Sequence, residues 1–183
     1  MPRNIYDGLI YEIEQEFVFG GTLIDVGGGV SLKNAVLAQS GMTVHVIDLF
    51  STYFSNAPSG SYDISRLFDH IVDCGVHMIE ADITAFDLAS EFENSSIDVV
   101  SMLHVLEHMH SFPMRLLTHG VSLLRPGGIF ITDNVLWSGR IFDKNPNKTT
   151  KAVLEFNRKL FSADGILSSI IPIRDGLGMA VKL

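Results

Sequence analysis

The sequence is short of cysteine, of positive charge and of long apolar runs, and each shortage removes a class of protein. Cys74 is the single cysteine among 183 residues, so no internal disulfide can form and nothing points to an oxidising compartment. No segment approaches about 18 uninterrupted apolar residues, the length a membrane-spanning helix needs. The start, Met1 to Asp7, has no apolar stretch followed by a small-residue cleavage site, so a soluble, cytoplasmic protein is expected. With 13 Lys/Arg against 21 Asp/Glu and a net charge of -8, a surface that tracks nucleic-acid phosphates or an anionic membrane is excluded on electrostatic grounds. No repeat and no low-complexity linker interrupts the chain.

What is present suits one globular domain. Hydrophobic residues make up 46% and charged residues 19%, enough to bury a sizeable core, and the length fits a single domain over 1–183. Charge is uneven along it. Residues 1–139 hold 17 Asp/Glu against 5 Lys/Arg, whereas residues 140–183 hold 4 against 8. A basic last quarter suits either an anionic ligand or a solvated helix face.

Periodicity sets the element order. Tyr6, Leu9, Ile10, Ile13 and Phe17 recur at helical spacing and predict an amphipathic helix within residues 1–20. Thr22–Val26 then reads as a short buried strand entering Gly27-Gly28-Gly29, and Ser31 stands where a helix N-cap belongs, before Leu32–Ala38. The alternation repeats. Strands are expected at 43–47, 76–81, 97–103 and 129–132, with helices at 61–74 and 113–124, the latter stopped by Pro126-Gly127-Gly128. That rhythm predicts an α/β fold with a parallel sheet covered on both faces. After a helix carrying Val153, Phe156 and Leu160, the runs 167–173 and 177–183 flank Asp175-Gly176, a hairpin signal, so the sheet should end in an antiparallel pair.

The glycine turn carries the first chemistry. A strand that ends in Asp25-Val-Gly27-Gly28-Gly29 and opens a helix brings backbone N–H groups close to a ligand at the helix N-terminus. A dinucleotide fingerprint needs a third glycine at position 32, where Leu32 stands. Asp25, two residues before the first glycine, suits a cationic ligand better than a pyrophosphate. Asp48, at the end of the second strand, is placed to accept hydrogen bonds from ribose hydroxyls. Asp82, at the end of the third, either accepts from an exocyclic amine or forms a turn.

These residues resemble the class I S-adenosylmethionine-dependent methyltransferases. Asp25-Val-Gly-Gly-Gly is similar to the family's first motif, Asp48 to its ribose acid, Asp82 to its adenine-side acid and His104-Val-Leu-Glu-His108 to a recurrent sequence after the fourth strand. Leu124-Arg-Pro-Gly-Gly-Ile-Phe-Ile131 is similar to its entry to the fifth. The resemblance covers residues 22–183. It implies a Rossmann-like three-layer sandwich with a mostly parallel seven-stranded sheet ending in an antiparallel hairpin. It also implies S-adenosylmethionine as cofactor, held by Asp25, Gly27, Gly28, Gly29, Asp48, Leu49, Asp82, Ile83 and His104.

His104, His108 and His110 lie on the loop that faces ligands in such a sheet, and each is a candidate general base or a solvated side chain. His-x-x-Glu-His also spells a zinc-protease motif, but that reading needs both histidines on one helix, and a strand precedes it here. Asp133-Asn134-Val-Leu-Trp-Ser-Gly139, Phe156-Asn157-Arg158 and Asp175-Gly176-Leu177 are similar to the caffeoyl-coenzyme A and catechol type of O-methyltransferase. That resemblance implies a divalent cation, Mg²⁺, on Asp133 and Asn134, where it would hold two vicinal oxygens of the acceptor. The family's further metal-binding aspartate has no counterpart, because Leu103-His104 stand in its place. Trp137 either walls the acceptor pocket or packs in the core.

The expected function is methyl transfer from S-adenosylmethionine to a small-molecule acceptor, most simply at oxygen, with His104, His108 and Asp133 as catalytic candidates. No separate macromolecule-recognition domain is expected, and a second subunit, in a homodimer, is expected to complete an open pocket. The alternatives are an NAD(P)-dependent oxidoreductase and a methyltransferase-like domain that binds without turnover.

Overall fold

The computed structural model describes residues 20–55, 63–109 and 113–183. The helix expected over 5–17 and His110 lie outside the described residues. Seven strands form one sheet: β1 (Thr22–Val26), β2 (Thr43–Asp48), β3 (His77–Glu80), β4 (Ile97–Met102), β5 (Leu124–Thr132), β6 (Ile166–Ile171) and β7 (Leu177–Lys182). Their order is β3-β2-β1-β4-β5-β7-β6. Neighbours from β3 through β5 pair parallel, and β7 runs antiparallel to both β5 and β6, so the expected terminal hairpin is present.

The helices are α1 (Leu32–Gln39), α2 (Phe50–Ser55), α3 (Ile64–Asp73), α4 (Leu88–Glu91), α5 (Pro113–Leu123) and α6 (Lys148–Ser162). Successive strand residues point to opposite faces, and the core divides accordingly. Ile24, Val100 and Phe130 pack with Leu88 of α4, Leu116 and Leu117 of α5, and Val153, Phe156 and Leu160 of α6. Leu23, Val99 and Ile129, one residue earlier on the same strands, pack with Ala35 and Leu37 of α1, Phe50 of α2 and Ile71 of α3. Burial on both faces is why β1 and β4 read as continuous apolar runs. Among the described residues, no helix is long and apolar enough to cross a membrane.

The fifth strand departs from expectation. It begins at Leu124 and passes through Pro126-Gly127-Gly128, with register moving from Ile97↔Leu124 to Val99↔Ile129. Two steps on β4 therefore face five on β5, a bulge. A side chain at Gly128 would meet the carbonyls of Arg125, Asp98 and Ile97 at 2.9–3.1 Å, so the glycine is there for close backbone approach. The Asp98 carboxylate fastens this lower edge by accepting from Thr22 N–H at 2.7 Å and from the Arg125 guanidinium.

Candidate active site

The strand order reverses direction between β1 and β4, and in open α/β sheets ligands enter at that switch point, beyond the carboxyl ends of the strands. The loops after β1, β2, β3, β4 and β5 all open on this edge, as do the β6–β7 turn and the start of α6.

At β1 the glycine turn is bound into the sheet. Gly27 N–H donates to the Ile47 carbonyl at 2.8 Å. Gly27 has φ +71, and a Cβ there would run into Cγ2 of Val105, while Ile83 Cδ1 lies 3.7 Å away. The turn thus touches the loops after β3 and β4 at once. Ser31 caps α1 as expected, its side chain accepting from Lys33 N–H at 3.3 Å. Leu32, the first residue of α1, is exposed, so the third glycine of a dinucleotide fingerprint has no counterpart.

The acids at the strand ends have three different jobs. Asp25 turns inward and is 2% exposed. Ser101 donates to its Oδ1 at 2.5 Å, Asn34 donates to its Oδ2 at 2.8 Å, and the Lys33 ammonium lies 3.4 Å from that oxygen. Its carboxylate also sits where a side chain on Gly28 would go. Asp25, expected to face a cationic ligand, has the ammonium of the chain's own Lys33 beside it, and it braces the glycine turn from beneath.

Asp48 faces the crevice. Its Oδ2 accepts from Gly29 N–H at 2.9 Å and from the Tyr53 hydroxyl at 3.2 Å, and its Oδ1 accepts from Leu49 N–H at 2.7 Å. Burial, then the charge and hydrogen bond of Asp48, push the Tyr53 hydroxyl up to about 12, so it stays protonated and donates. Tyr53 is a site residue that the sequence did not single out, since a tyrosine one turn into a short helix carries no signal of its own. Glu80 is another. It stands opposite Asp48 in register and accepts from the Ser51 hydroxyl at 2.7 Å, a bond that holds its pKa below the ordinary carboxylate value.

Asp82 forms a turn. Its Oδ1 accepts from Thr84 N–H at 2.9 Å and from the Thr84 hydroxyl at 2.7 Å, which lowers its pKa, and its carbonyl accepts from Ala85 and Phe86. The turn-forming reading of Asp82 is observed, with its side chain exposed just beyond the third strand. Leu49 is exposed and Ile83 is partly buried.

On the other side of the switch point, His104 and Asp133 are brought together. His104 is left-handed (φ 57), and its backbone N–H donates to Asp133 Oδ1 at 2.8 Å. Its imidazole Nδ1 lies 3.5 Å from Asp133 Oδ2, with the ring side chain 67% exposed and Asp133 1% exposed. His108 ends a single 3-10 turn, Leu106–His108, on its exposed side. One such turn cannot present two histidines as a helix would, so the zinc-protease spelling has no structural basis here.

The loop after β5 is held from the C-terminal segments. Asn157 of α6 donates to the Val135 carbonyl at 2.7 Å, Leu136 N–H donates to the Asp175 carbonyl at 2.8 Å, and Ser138 N–H donates to the Asp175 carboxylate. Trp137 packs against the core, and its buried indole N–H has no hydrogen-bond partner among the described residues.

A hard divalent cation needs several oxygen ligands facing one point. Asp133 supplies one carboxylate, but both of its oxygens are directed at His104, and an imidazole occupies the place of a second acid. Among the described residues, no three His, Cys, Asp or Glu side chains converge as a metal site. The expected Mg²⁺ on Asp133 and Asn134 therefore does not fit this donor set.

Comparison with known proteins agrees with the fold. A family model described as O-methyltransferase matches residues 90–183, and one described as methyltransferase domain matches residues 24–132. A catechol O-methyltransferase domain-containing protein of Mus musculus is 36% identical over 64 residues, 34% of this chain and 24% of that protein. A ubiquinone biosynthesis O-methyltransferase of Pseudomonas paraeruginosa is 32% identical over 115 residues, 63% of this chain and 44% of that protein. In these matches the chain spans between a quarter and a half of the curated relatives' length. An O-methyltransferase from Bacillus cereus, solved in complex with SAH, superposes with a TM-score of 0.72 at 14% identity, over 100% of this chain and 83% of that one. The glycine turn, the crevice it borders and the two matching family models together show that the chain belongs to the O-methyltransferase family.

Proposed function

We propose that this chain transfers a methyl group from S-adenosylmethionine to a hydroxyl of a small-molecule acceptor. The observation that carries the reading is the bond from Gly29 N–H to Asp48, which makes the glycine turn and the acid of the second strand one rigid unit at the switch point. Gly27, Gly28 and Gly29 carry no side chains of their own, so their backbone can approach a ligand closely. The Asp48 carboxylate, fixed by two backbone N–H groups, has acceptor capacity left for ribose hydroxyls, and Tyr53 is the partner that yields most readily at 3.2 Å. Leu49, Ile83 and Asp82 border the adenine side, where apolar flanks and one exposed acid suit a base with an exocyclic amine. S-adenosylmethionine, when bound, supplies a methyl already activated on sulfonium. The residues of the chain must then align the acceptor oxygen and exclude water, a positioning effect that supplies several kcal/mol.

Calorimetric titration with S-adenosylhomocysteine, with NAD as control, tests the cofactor class. Micromolar binding of the first alone is expected. Asp48→Ala should abolish it; an unchanged affinity in that variant would remove the ribose assignment, and binding of NAD alone would overturn the reading.

A further inference from the structure

Three donors already meet the Asp48 carboxylate, and one of them is a side chain. An ionised carboxylate has about four acceptor positions on its two oxygens. Gly29 N–H and the Tyr53 hydroxyl take Oδ2 at 2.9 and 3.2 Å, and Leu49 N–H takes Oδ1 at 2.7 Å. One position is left. A ribose presents two neighbouring hydroxyls, so a ligand that donates both needs one position more than the empty protein offers. The two backbone donors are fixed, because Gly29 lies in the turn with φ +58 and Leu49 follows Asp48 directly. Tyr53 is not. Its bond is the longest of the three, and the residue is 37% exposed. The same phenol leans on the third glycine: a Cβ at Gly29 would meet the Tyr53 hydroxyl oxygen at 2.8 Å and Cζ at 3.3 Å. Tyr53 therefore fills the junction of the glycine turn and the acid, the two groups that the cofactor must approach. Its helix is anchored elsewhere. Phe50 and Phe54 of α2 both meet Phe68 of α3 edge-on, with ring centroids 5.4 and 5.5 Å apart, and the Ser51 hydroxyl donates to Glu80 at 2.7 Å. What moves is one side chain, by a change of rotamer, while the helix that carries it stays.

We propose that Tyr53 is a displaceable stand-in for a ribose hydroxyl: it holds Asp48 in the empty protein, yields its place to one hydroxyl of the incoming cofactor, and reclaims it as the spent cofactor leaves. This rests on the methyltransferase reading above. Because the carboxylate exchanges one donor for another, it is short of a partner at no stage. Because the exchange is a competition, the hydroxyl of Tyr53 weakens the hold on cofactor and product alike, and it speeds release of the product. Tyr53 acts through Asp48 and not on the reacting atoms, which makes it a positioning residue.

The test uses the full chain and titrates S-adenosylhomocysteine beside its two analogues that each lack one ribose hydroxyl. No binding of S-adenosylhomocysteine to wild type would overturn the methyltransferase reading and this inference with it. Tyr53→Phe keeps the ring and removes only the hydroxyl. With binding present, it should tighten S-adenosylhomocysteine about three- to tenfold, the worth of one hydrogen bond, chiefly through slower release in stopped flow. The analogue that lacks the competing hydroxyl should bind wild type and variant equally. Equal tightening of all three ligands, an unchanged affinity for S-adenosylhomocysteine, or a weaker one would each overturn the proposal. A second readout follows the phenol itself. Labelling with fluorotyrosine, the Tyr53 signal being the one absent from Tyr53→Phe, reports its ionisation by fluorine NMR, and fluorination brings the titration of a phenol into reach. Burial, then Asp48, hold this phenol high in the free protein. Saturating S-adenosylhomocysteine should bring its pKa down as the ring leaves Asp48 for solvent. A value that stays or rises would mean that the phenol keeps its place, and the exchange would be overturned.

Discussion

Asp25, Asp48 and Asp82 look alike in the sequence, each an aspartate at or just beyond the end of a parallel strand, yet one is a brace, one a staple and one a turn former. The partners explain why only part of this was legible. Thr84 lies two residues after Asp82, and Asp-x-Thr is a readable local turn pattern. Ser101, which donates to Asp25, lies 76 residues away, and nothing local announces it. The brace makes a prediction about stability. Asp25→Ala would leave Lys33, Asn34 and Ser101 without their shared acceptor, and removing one partner of a buried ion pair costs about 3–5 kcal/mol. Urea unfolding measures this, and a loss under about 1 kcal/mol would show that Asp25 is not the brace described. Gly27→Ala is expected to hurt in two ways, through its φ of +71 and through the collision with Val105. A stability loss of about 1–3 kcal/mol should accompany weaker binding of S-adenosylhomocysteine; a variant with wild-type affinity would detach the turn from cofactor binding.

At the scale of elements, the alternation of strands and helices was readable because burial on both faces forces apolar runs, and the hairpin because Asp175-Gly176 sits between two of them. The start of β5 was hidden, since Pro126-Gly127-Gly128 reads as a stop until β4 is seen to accept it as a bulge. The sequence marked Asn157 only by family resemblance and Asp175 also as half of a hairpin turn, and the structure adds a physical reason for both: they clamp the loop that carries Asp133. Asn157→Ala removes the donor to Val135 and should cost about 1–2 kcal/mol while raising the acceptor KM more than it lowers cofactor affinity. Steady-state kinetics beside calorimetry separates the two. The outer edge of the sheet carries a second testable feature. His45 of β2 stacks on His77 of β3 with ring centroids 4.7 Å apart, and Phe92 meets His45 edge-on at 5.1 Å. Burial first, and the neighbouring His77 second, hold His45 below the ordinary imidazole value. The unfolded chain therefore binds this proton more readily, so the contribution is intact above about pH 6.5 and is lost as pH falls through the lower folded value. Urea midpoints at pH 7.5 and 5.5 should diverge less in His45→Phe than in wild type. Equal divergence would show that His45 does not couple its protonation to folding.

For the whole molecule, the uneven charge of the sequence becomes a division of one edge. Asp48, Glu80 and Asp82 stand at the ends of β2 and β3 or just beyond, on the side proposed for the cofactor. Arg140, Lys144 and Lys148 lie after β5 and at the start of α6, and Arg174 lies in the β6–β7 turn. The composition alone left open whether the basic quarter was a solvated face, because sequence distance does not say which end of a sheet a residue reaches. The strand directions settle that much: these four cations share the edge with His104 and Asp133. The acidic half has a consequence for the donor. S-adenosylmethionine carries one more positive charge than S-adenosylhomocysteine, and charges at a half-exposed edge are screened over about 10 Å at 0.1 M salt. Raising the salt should therefore weaken binding of S-adenosylmethionine more than that of S-adenosylhomocysteine, and the gap between the two affinities should move toward the product. Parallel titrations at low and high salt measure it. Affinities that fall together would mean that the acids act only through their hydrogen bonds, whereas a difference that shrinks in Asp48→Asn would show the field of that carboxylate selecting the charged donor over its spent form.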